Sequence, residues 1–471
     1  MNAPTGVSTP TDALRTDAAA TLARLNAAFA TGRTRPLARR KEQLRALRRL
    51  LVEQEEVFAA ALKADLGKSP AESYLTEIGF TVNEIDHTLR HLSRWLRPRR
   101  VPVPLALAPA RGRTVLEPLG TVLVISPWNY PLQLALAPLI GAIAAGNCAV
   151  VKPSELAPAT SAALAHWLPR VLDPQTVAVV EGGVPETTAL LEQRFDHIFY
   201  TGNGTVGRIV MTAAARHLTP VTLELGGKSP AVVDPGVDLA AAARRIAWGK
   251  FMNAGQTCVA PDYILAVGDT APALEAALTD AIREMYGDDP AAGPDYGRIV
   301  NERHFDRLTA LLADGRTVTG GEHDRATRYL APTVLADVDP ASPVMQEEIF
   351  GPVLPIVGVP DLDAAIAFIT ARDKPLALYA FTASVTTRRR LTAETSSGAL
   401  AFGIPNAHLS VPGLPFGGVG ESGQGGYHGR LSVETFSHTK AVLSKPLALD
   451  TLRLAYPPFT AGKSRLLRRF M

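Results

Sequence analysis

Hydrophobic and polar residues follow two different periods along this chain of 471 residues. Between residues 37 and 66, leucines and one phenylalanine recur among charged residues at helical spacing, and residues 75–96 continue with the same period. Short apolar runs then alternate with Ala/Leu-rich segments; these runs are Val122–Ile125, Ala149–Val151, Val177–Val180 and His197–Tyr200. Strands that alternate with helices indicate an α/β fold with a parallel sheet covered on both faces.

Other stretches of the chain predict different structures. Residues 97–118 are rich in Pro, Arg and Val and poor in helix formers, which indicates an extended hairpin that projects from the body. A second α/β unit begins near Thr222 and runs past Phe350, and residues 434–443 predict a late strand. We expect disorder in the first dozen residues and in the last few.

One segment, from Pro118 to Val151, contains no charged residue and is long enough to suggest a membrane span. Three prolines, at 127, 131 and 138, would break a spanning helix repeatedly. We therefore predict a buried strand, a loop, a buried helix and a second buried strand, and no membrane span.

Composition sets the class of protein. The length predicts two or three domains, and 46% hydrophobic with 20% charged residues is typical of a globular protein. The net charge of +3 is too balanced for a nucleic-acid-binding protein, and the basic clusters are expected to be solvated faces. Ten histidines lack metal-ligand spacing, so no metal site is predicted.

The two cysteines differ in their surroundings. They cannot build a disulfide framework, which favours a reducing cytoplasmic location, and we expect the N-terminal residues to be a disordered tail and not a signal peptide. Cys148 lies in an apolar run and is expected to be a small buried hydrophobe. Cys258 lies among Asn253, Gly255, Gln256 and Thr257, and such a loop would bring backbone amides near the sulfur. Those amides would stabilise a thiolate and provide an oxyanion donor.

Two further polar residues complete a set suited to acyl chemistry. Glu224 follows a short apolar run and is expected at a strand end, where a carboxylate reaches a cleft. Asn129 lies between Trp128 and Tyr130 in a Pro-bounded loop, where it is a good amide donor. A nucleophile, a base and an oxyanion donor are what chemistry through a thioester requires. Taken alone, Glu224 is as well explained as a structural carboxylate that binds an amide.

Two motifs indicate a bound nucleotide. Gly202 and Gly207 follow a predicted strand and open a helix, and glycine-lined helix N-termini receive pyrophosphate. Lys152 and Glu155 follow a buried strand, three residues apart, and side chains so spaced can bind vicinal ribose hydroxyls. The alternatives are a helix cap with close packing for the first motif and a surface-exposed pair for the second.

The order and spacing of these motifs resemble the aldehyde dehydrogenase superfamily, from about residue 30 to about residue 445. Five phrases are similar to the class-three branch, which acts on fatty and aromatic aldehydes: Thr34–Leu37, Gly255–Tyr263, Leu414–Gly420, Tyr427–Arg430 and Tyr456–Pro458. One departure is the segment Phe402–Asn406, where that branch has an Asn-Asp pair. Because the segment borders the substrate tunnel in the family, it weakens the inference about the substrate.

The resemblance implies a mechanism. Cys258 thiolate attacks the aldehyde carbonyl, and the Asn129 side chain with the Cys258 N–H holds the oxyanion. Hydride leaves for the nicotinamide of NAD, or of NADP, and Glu224 activates the water that hydrolyses the thioester. The resemblance places Lys152 and Glu155 on the adenosine ribose, Glu348 on the nicotinamide ribose and Phe350 near the ring. The predicted cofactor-binding residues are Trp128, Lys152, Glu155, Gly202, Asn203, Gly207, Leu225, Gly226, Glu348 and Phe350.

The implied fold is a variant Rossmann cofactor domain, an α/β catalytic domain and a small β bridging element that joins two subunits into a homodimer. The expected boundaries are 1–96 with 119–222 for the cofactor domain, 223–431 for the catalytic domain, 97–118 with 432–446 for the bridge, and 447–471 for a tail. The predicted function is NAD(P)-dependent oxidation of a medium- or long-chain aliphatic or aromatic aldehyde to its carboxylate. The rivals are an enzyme that passes the thioester to coenzyme A or phosphate, and a catalytically silent binding protein.

Overall fold

The structure is a computed structural model and describes residues 10–448 and 450–470. Its strands are β1 Arg99–Val101, β2 Arg111–Pro118, β3 Thr121–Ile125, β4 Cys148–Lys152, β5 Val177–Val179, β6 His197–Thr201, β7 Val221–Glu224, β8 Pro230–Val233, β9 Tyr263–Val267, β10 Arg316–Thr319, β11 His323–Asp324, β12 Tyr329–Leu330, β13 Thr333–Ala336, β14 Val353–Val359, β15 Ala377–Phe381, β16 Ala399–Phe402, β17 Gly423–Gln424 and β18 Ser437–Ser444. Its helices are α1 Pro10–Ala30, α2 Leu37–Glu53, α3 Glu55–Leu66, α4 Pro70–Ser73, α5 Gly79–Trp95, α6 Gln133–Ala145, α7 Pro158–Val171, α8 Val184–Leu191, α9 Gly204–Ala215, α10 Leu239–Phe251, α11 Ala271–Tyr286, α12 Glu302–Ala310, α13 Leu362–Thr370, α14 Val385–Glu394, α15 Gly429–Thr435 and α16 Ala461–Phe470.

The first sheet has the strand order β17-β7-β6-β3-β4-β5 and is parallel except at β17. Its central strands β3, β4 and β6 are buried along their whole length. The chain runs outward from β3 to β5 and then returns to place β6 on the other side of β3. In open sheets of this kind, ligands bind at the carboxyl ends of the strands on either side of such a reversal. The loops that follow β3 and β6 carry Asn129 and Gly202.

The second sheet has the order β10-β13-β14-β9-β8-β15-β16 and is parallel except at β10. The loops that lead into β9 and β14 contain Cys258 and Glu348 respectively. Residues 225–229 connect the carboxyl end of β7 directly to the amino end of β8. This short connection places the carboxyl edge of the first sheet against the amino edge of the second, so the predicted site residues converge at the junction.

A small separate sheet has the order β1-β2-β18, with both pairs antiparallel. The predicted hairpin in residues 97–118 is confirmed as β1 and β2, and the late strand pairs with β2 from Ser437↔Pro118 to Ser444↔Arg111. β18 lies at the edge of this sheet and is mostly exposed, with Leu443 62% exposed. The α/β fold class predicted from the sequence is confirmed.

Several predicted boundaries require correction. Disorder in the first dozen residues is wrong for residues 10–12, because α1 begins at Pro10 and buries Leu22 and Leu25 in the core; residues 1–9 lie outside the described part of the chain. The expected disorder of the last few residues is also wrong as far as Phe470, where α16 ends, and Met471 lies outside the described part of the chain. The domain boundary at 222/223 falls inside β7, which belongs to the first sheet. The division into domains otherwise stays a prediction.

The uncharged segment forms β3, a loop, α6 and β4, as predicted. Every residue of α6 is buried, and Pro138 lies inside this helix without ending it. No helix within the described ranges is long and apolar enough to cross a membrane. Burial on all sides explains the absence of charge in α6, because an ionised group there would be removed from water.

Phe199 offers a test of the packing of the first sheet. Its ring is fully buried and lies 5.0 Å from the ring of Tyr427 and 5.9 Å from that of Phe436. We expect Phe199→Ala to lower the free energy of unfolding by about 3–5 kcal/mol, through lost burial and the cavity left behind. Denaturant unfolding measures the change, with Leu218→Ala, at a side chain 90% exposed, as the control. Equal effects of the two substitutions would contradict this packing.

Candidate active site

The loop that carries Cys258 has an unusual backbone. It follows α10 through a turn at Met252–Gly255, in which Asn253 and Ala254 have φ of 54° and 50°. Gly255 also has positive φ, and a Cβ added there would lie 2.2 Å from the Gly351 carbonyl oxygen. Non-glycine residues hold such conformations only where surrounding contacts impose them. The loop must therefore be held by its neighbours.

Hydrogen bonds bind this loop to the loop that carries Asn129. The Asn129 side-chain amide donates to the main-chain carbonyl of Gln256 at 3.0 Å. In return, the Asn253 side-chain amide donates to the main-chain carbonyl of Asn129 at 2.7 Å. The Tyr130 and Thr257 hydroxyls lie 2.6 Å apart. These contacts place Asn129 beside the cysteine loop, as the sequence predicted. They also use only one hydrogen of the Asn129 NH₂ group, which carries two.

The surroundings of Cys258 favour the thiol over the thiolate. Its side chain is partly buried, and burial together with the carboxylates of Glu348 and Glu224 raises the pKa of the Cys258 thiol well above its usual value. The main-chain amides of Cys258 and Val259 act in the opposite direction but more weakly. These amides favour the thiolate, in the direction that the sequence predicted, while burial and the two acidic residues act against it. Cys148 is buried in β4, as predicted.

Glu224 ends β7, where the sequence placed it. In the described part of the chain, neither of its carboxylate oxygens has a hydrogen-bond partner, and both are buried. Burial raises the pKa of Glu224 well above its ordinary value, since nothing nearby compensates for an ionised carboxylate. A structural carboxylate would bind an amide; this one does not.

Glu348 approaches the connection between the two sheets. A Cβ at Gly226 would lie 1.9 Å from the Glu348 Oε2, and the Gly227 amide donates to this carboxylate. Burial and Asp262 raise the pKa of Glu348 to about 8, against the opposing effects of Gly227, Lys228 and other cations. A side chain at position 226 would therefore collide with the Glu348 carboxylate, so this contact favours glycine there even without a bound cofactor.

A network that sequence reasoning missed fixes the segment around Glu348. Lys228 Nζ lies 2.5 Å from Asp262 Oδ2 and also donates to the carbonyls of Val344 and Glu347. Asp262 in turn accepts from the main-chain amide of Ile349. The only signal in the sequence was the position of Lys228, two residues after the predicted cofactor-binding residue Gly226.

The cleft between the sheets has a volume of about 950 Å³. Its lining includes the predicted residues Asn203, Gly226 and Glu348, together with Gly204, Arg208, Gly227, Lys228 and Ser422. Asn203 caps α9 by accepting from the Val206 amide, so the N-terminus of this helix opens on the cleft. The volume and the helix N-terminus fit a dinucleotide.

The two glycines of the nucleotide motif are required by close packing. A Cβ at Gly202 would lie 2.2 Å from the Tyr200 hydroxyl, and one at Gly207 would lie 3.0 Å from Leu225 Cδ2. Leu225 itself is buried beneath α9 and donates its amide to the Ser422 carbonyl. Packing around α9 therefore accounts for the residue types at 202, 207 and 225 as well as contact with a cofactor would.

The remaining predicted residues lie at the edges of the junction. Lys152 ends β4 with its Nζ buried, 2.8 Å from the Pro153 carbonyl and 3.4 Å from Glu155 Oε2, while the Glu155 side chain is half exposed. The ring of Trp128 packs against that of Phe350 at 5.3 Å. Lys152 and Glu155 do not line the large cleft, so their contact with a nucleotide stays a prediction.

Three charged residues near Asn129 were missed by sequence reasoning. Lys68 and Glu77 form a fully buried ion pair at 2.5 Å. The Glu72 carboxylate accepts from the main-chain N–H of Asn253 at 2.6 Å. The sequence held a signal for Glu77: it shares a helical face with Thr81, Glu84 and Thr88, at spacings that also bury Ile78 and Ile85. Polar residues on the buried face of an amphipathic helix indicate internal partners.

Comparisons with known proteins agree with this geometry. A family model described as the aldehyde dehydrogenase family matches residues 5–442. The chain is 52% identical over 441 residues to aldehyde dehydrogenase family 3 member A2 of Mus musculus, covering 93% of this chain and 91% of that protein. It is 50% identical over 443 residues to the dimeric NADP-preferring aldehyde dehydrogenase of Canis lupus familiaris, covering 94% and 98%.

Solved structures give the same result. A substrate-bound AldH of Staphylococcus aureus superimposes with a TM-score of 0.94 at 44% identity, covering 96% of this chain and 99% of that one. An aldehyde dehydrogenase of Mycobacterium tuberculosis complexed with NAD+ gives a TM-score of 0.83 at 31% identity, covering 92% and 91%.

The raised pKa of Glu348 predicts that the stability of the protein depends on pH. Its pKa is about 8 in the folded protein against 4.5 ordinarily, so the folded state holds this proton more tightly than the unfolded state. The resulting stabilisation is complete below about pH 4.5 and is lost as the pH rises to about 8. In thermal unfolding experiments between pH 5 and pH 8.5, the Tm of Glu348→Gln should decline less with rising pH than the Tm of the wild type.

The matched control for this measurement is Glu347→Gln, which removes a carboxylate from the exposed neighbouring residue. A decline with pH that is the same for Glu348→Gln and for the wild type would contradict the assigned pKa.

Proposed function

The chain belongs to the aldehyde dehydrogenase family, and from this premise we propose that Cys258, Asn129 and Glu224 carry NAD(P)-dependent oxidation of an aldehyde to its carboxylate. One observation carries the proposal: the cysteine loop and the asparagine loop are hydrogen-bonded to each other at the junction of the two sheets. A nucleophile, an amide donor and a buried carboxylate thereby meet beside a cleft of nucleotide size.

The residues at the cleft fit a nicotinamide dinucleotide. Glu348 has a buried oxygen, Oε1, with no hydrogen-bond partner among residues 10–448 and 450–470, and this oxygen is suited to accept from a ribose hydroxyl. The N-terminus of α9, at Gly204, is suited to the pyrophosphate. When bound, the dinucleotide supplies a hydride acceptor. Lys152 and Glu155 are proposed to bind the adenosine ribose at the end of β4.

Cys258 supplies the nucleophile. Its sulfur forms a bond to the aldehyde carbon, the thiol proton passes to water, and the carbonyl oxygen takes up the electron pair of the C=O π bond. Burial, together with Glu348 and Glu224, raises the pKa of this thiol and so opposes loss of the proton before attack. Loss of hydride from the resulting carbon then leaves an acyl group on the sulfur.

Asn129 stabilises the oxygen that becomes negative. Its amide already donates one hydrogen to the Gln256 carbonyl, which fixes the orientation of the group and leaves the second hydrogen available. The main-chain amide of Cys258 is the second donor. Donors that are held in place before the reaction need not reorganise as the charge develops. The loss of one such donor is expected to lower the turnover rate about 10²–10³-fold.

Glu224 is the base for hydrolysis. Its raised pKa means that it is neutral at low pH and becomes a strong base once ionised. It then takes a proton from a water that attacks the thioester, and the carboxylic acid product leaves as Cys258 regains its proton. An enzyme that passes the acyl group to coenzyme A needs no such base, so Glu224 favours hydrolysis.

The substrate is proposed to be a medium- or long-chain aliphatic or aromatic aldehyde. Support comes from the phrases Thr34–Leu37, Gly255–Tyr263 and Leu414–Gly420, and from identity with family 3 relatives along almost the whole chain. NAD and NADP are both proposed as cofactors. A cytoplasmic location is proposed from the free cysteines.

Glu224→Gln separates the two half-reactions. Because the amide cannot act as a base, we expect a first burst of NADH of normal size, followed by turnover reduced about 10²–10⁴-fold. Stopped-flow absorbance with benzaldehyde and NAD measures both phases, and Cys258→Ser is the control that should show no burst. Loss of the burst in Glu224→Gln would assign this residue to an earlier step.

A homodimer is proposed to form through the small sheet. β18 is an exposed edge strand, and such an edge pairs readily with another chain. One chain has a mass of 50.0 kDa, so two chains together have about twice that mass.

Sedimentation of the wild type should give the mass of two chains, and Leu443→Lys should shift the protein toward one. The substituted side chain is 62% exposed on β18, and the matched control is Val385→Lys, at a side chain 80% exposed on α14. A wild-type mass of one chain would reject the dimer. A mass unchanged by Leu443→Lys would reject this edge as the interface.

A further inference from the structure

A buried ion pair lies directly beneath the Asn129 loop. The side chains of Lys68 and Glu77 are both fully buried, and Lys68 Nζ lies 2.5 Å from Glu77 Oε1. The same Nζ donates to the main-chain carbonyl of Asn129 at 3.0 Å and lies 4.0 Å from the ring centre of Tyr130. The lysine therefore contacts both Asn129 and the residue that follows it.

Glu77 holds the other end of this loop. Its second oxygen, Oε2, accepts from the main-chain amides of Leu132 at 2.8 Å and Gln133 at 3.2 Å. The ion pair thus binds residues 129–133 at three main-chain groups, on both sides of Pro131. Both members of the pair end on the loop that carries the proposed oxyanion donor.

The same segment also holds the cysteine loop. Glu72 accepts from the main-chain N–H of Asn253. The side-chain amide of Asn253 donates to the main-chain carbonyl of Asn129, which also accepts from Lys68. A π-helical turn at Tyr74–Ile78 follows Glu72 and contains Glu77, and Gly79 accommodates it, since a Cβ there would lie 2.8 Å from the Tyr74 ring. Such turns re-aim side chains within a helix and are frequent at functional sites.

Stability does not explain a pair in this position. Removing two charges from water is costly, and well-packed apolar side chains of similar volume often serve as well or better. What the pair supplies is a fixed direction, because the hydrogen bonds that it makes to the rest of the protein end on main-chain groups of residues 129–133, in the Asn129 loop and at the start of α6. The pair is therefore better explained by the orientation of that loop.

We propose that Lys68 and Glu77 are positioning residues that hold the Asn129 amide in the orientation in which it receives the oxyanion. This inference rests on the proposed function of Asn129. A donor fixed before the reaction is more effective than one that must reorganise, and a displacement of about 1 Å can cost about 10²-fold in rate. The pair touches neither substrate nor cofactor in this account.

The test uses Lys68→Met/Glu77→Gln in the full-length protein. Removing both charges avoids an unpaired buried ion, and the Gln oxygen still accepts from Leu132 and Gln133. We expect the burst rate of NADH with benzaldehyde to fall about 10- to 100-fold, with KM for NAD and thermal stability near the wild-type values. The matched control is Arg40→Met, which removes another buried cation that binds main-chain carbonyls, those of Thr34 and Ala144, and should leave the burst rate unchanged.

A cycle with Asn129→Ala separates the two proposals. If the ion pair acts through Asn129, the double substitution adds no further loss of burst rate in the Asn129→Ala background. A full additional loss in that background, or an unchanged burst rate in Lys68→Met/Glu77→Gln, would overturn the positioning role while leaving the role of Asn129 intact. An unchanged burst rate in Asn129→Ala alone would overturn the proposed oxyanion donor, and the positioning role with it.

Discussion

Two hydrogen bonds join segments that are more than a hundred residues apart, and the candidate site depends on them. Asn129 donates its side-chain amide to Gln256, and Asn253 donates its side-chain amide back to the Asn129 carbonyl. The second bond stabilises a stretch in which Asn253 and Ala254 have left-handed backbone angles. This exchange fixes the direction of the Asn129 amide relative to the loop that carries Cys258.

The fold makes this exchange possible by bringing two sheets together edge to edge. The connection from β7 to β8 is only five residues long, so strand ends of opposite polarity meet across it. Loops at the carboxyl ends of β3 and β6 face loops at the amino ends of β9 and β14. A junction of this kind collects residues from four distant parts of the chain without requiring a long loop from any of them.

Burial sets the chemistry of the junction. Glu224, Glu348 and Cys258 all have raised pKa values, and burial is the largest cause for each. Burial disfavours the ionised form of each group, and the carboxylates of Glu348 and Glu224 add to this effect at Cys258. The main-chain amides of the cysteine loop act in the opposite direction at the sulfur.

The sequence by itself determined the α/β class, the hairpin with its late strand, and the apolar burial of Cys148 as against the polar loop of Cys258. These follow from local properties: hydrophobic period, helix-poor composition, and the polarity of the residues adjacent to each sulfur. Only the tertiary structure decided the direction in which the pKa of Cys258 shifts and the partners of Lys68, because both depend on groups brought close by folding. Amides next to a sulfur can be read from its neighbours in sequence, whereas Glu224 and Glu348, 34 and 90 positions away in the chain, outweigh them through space.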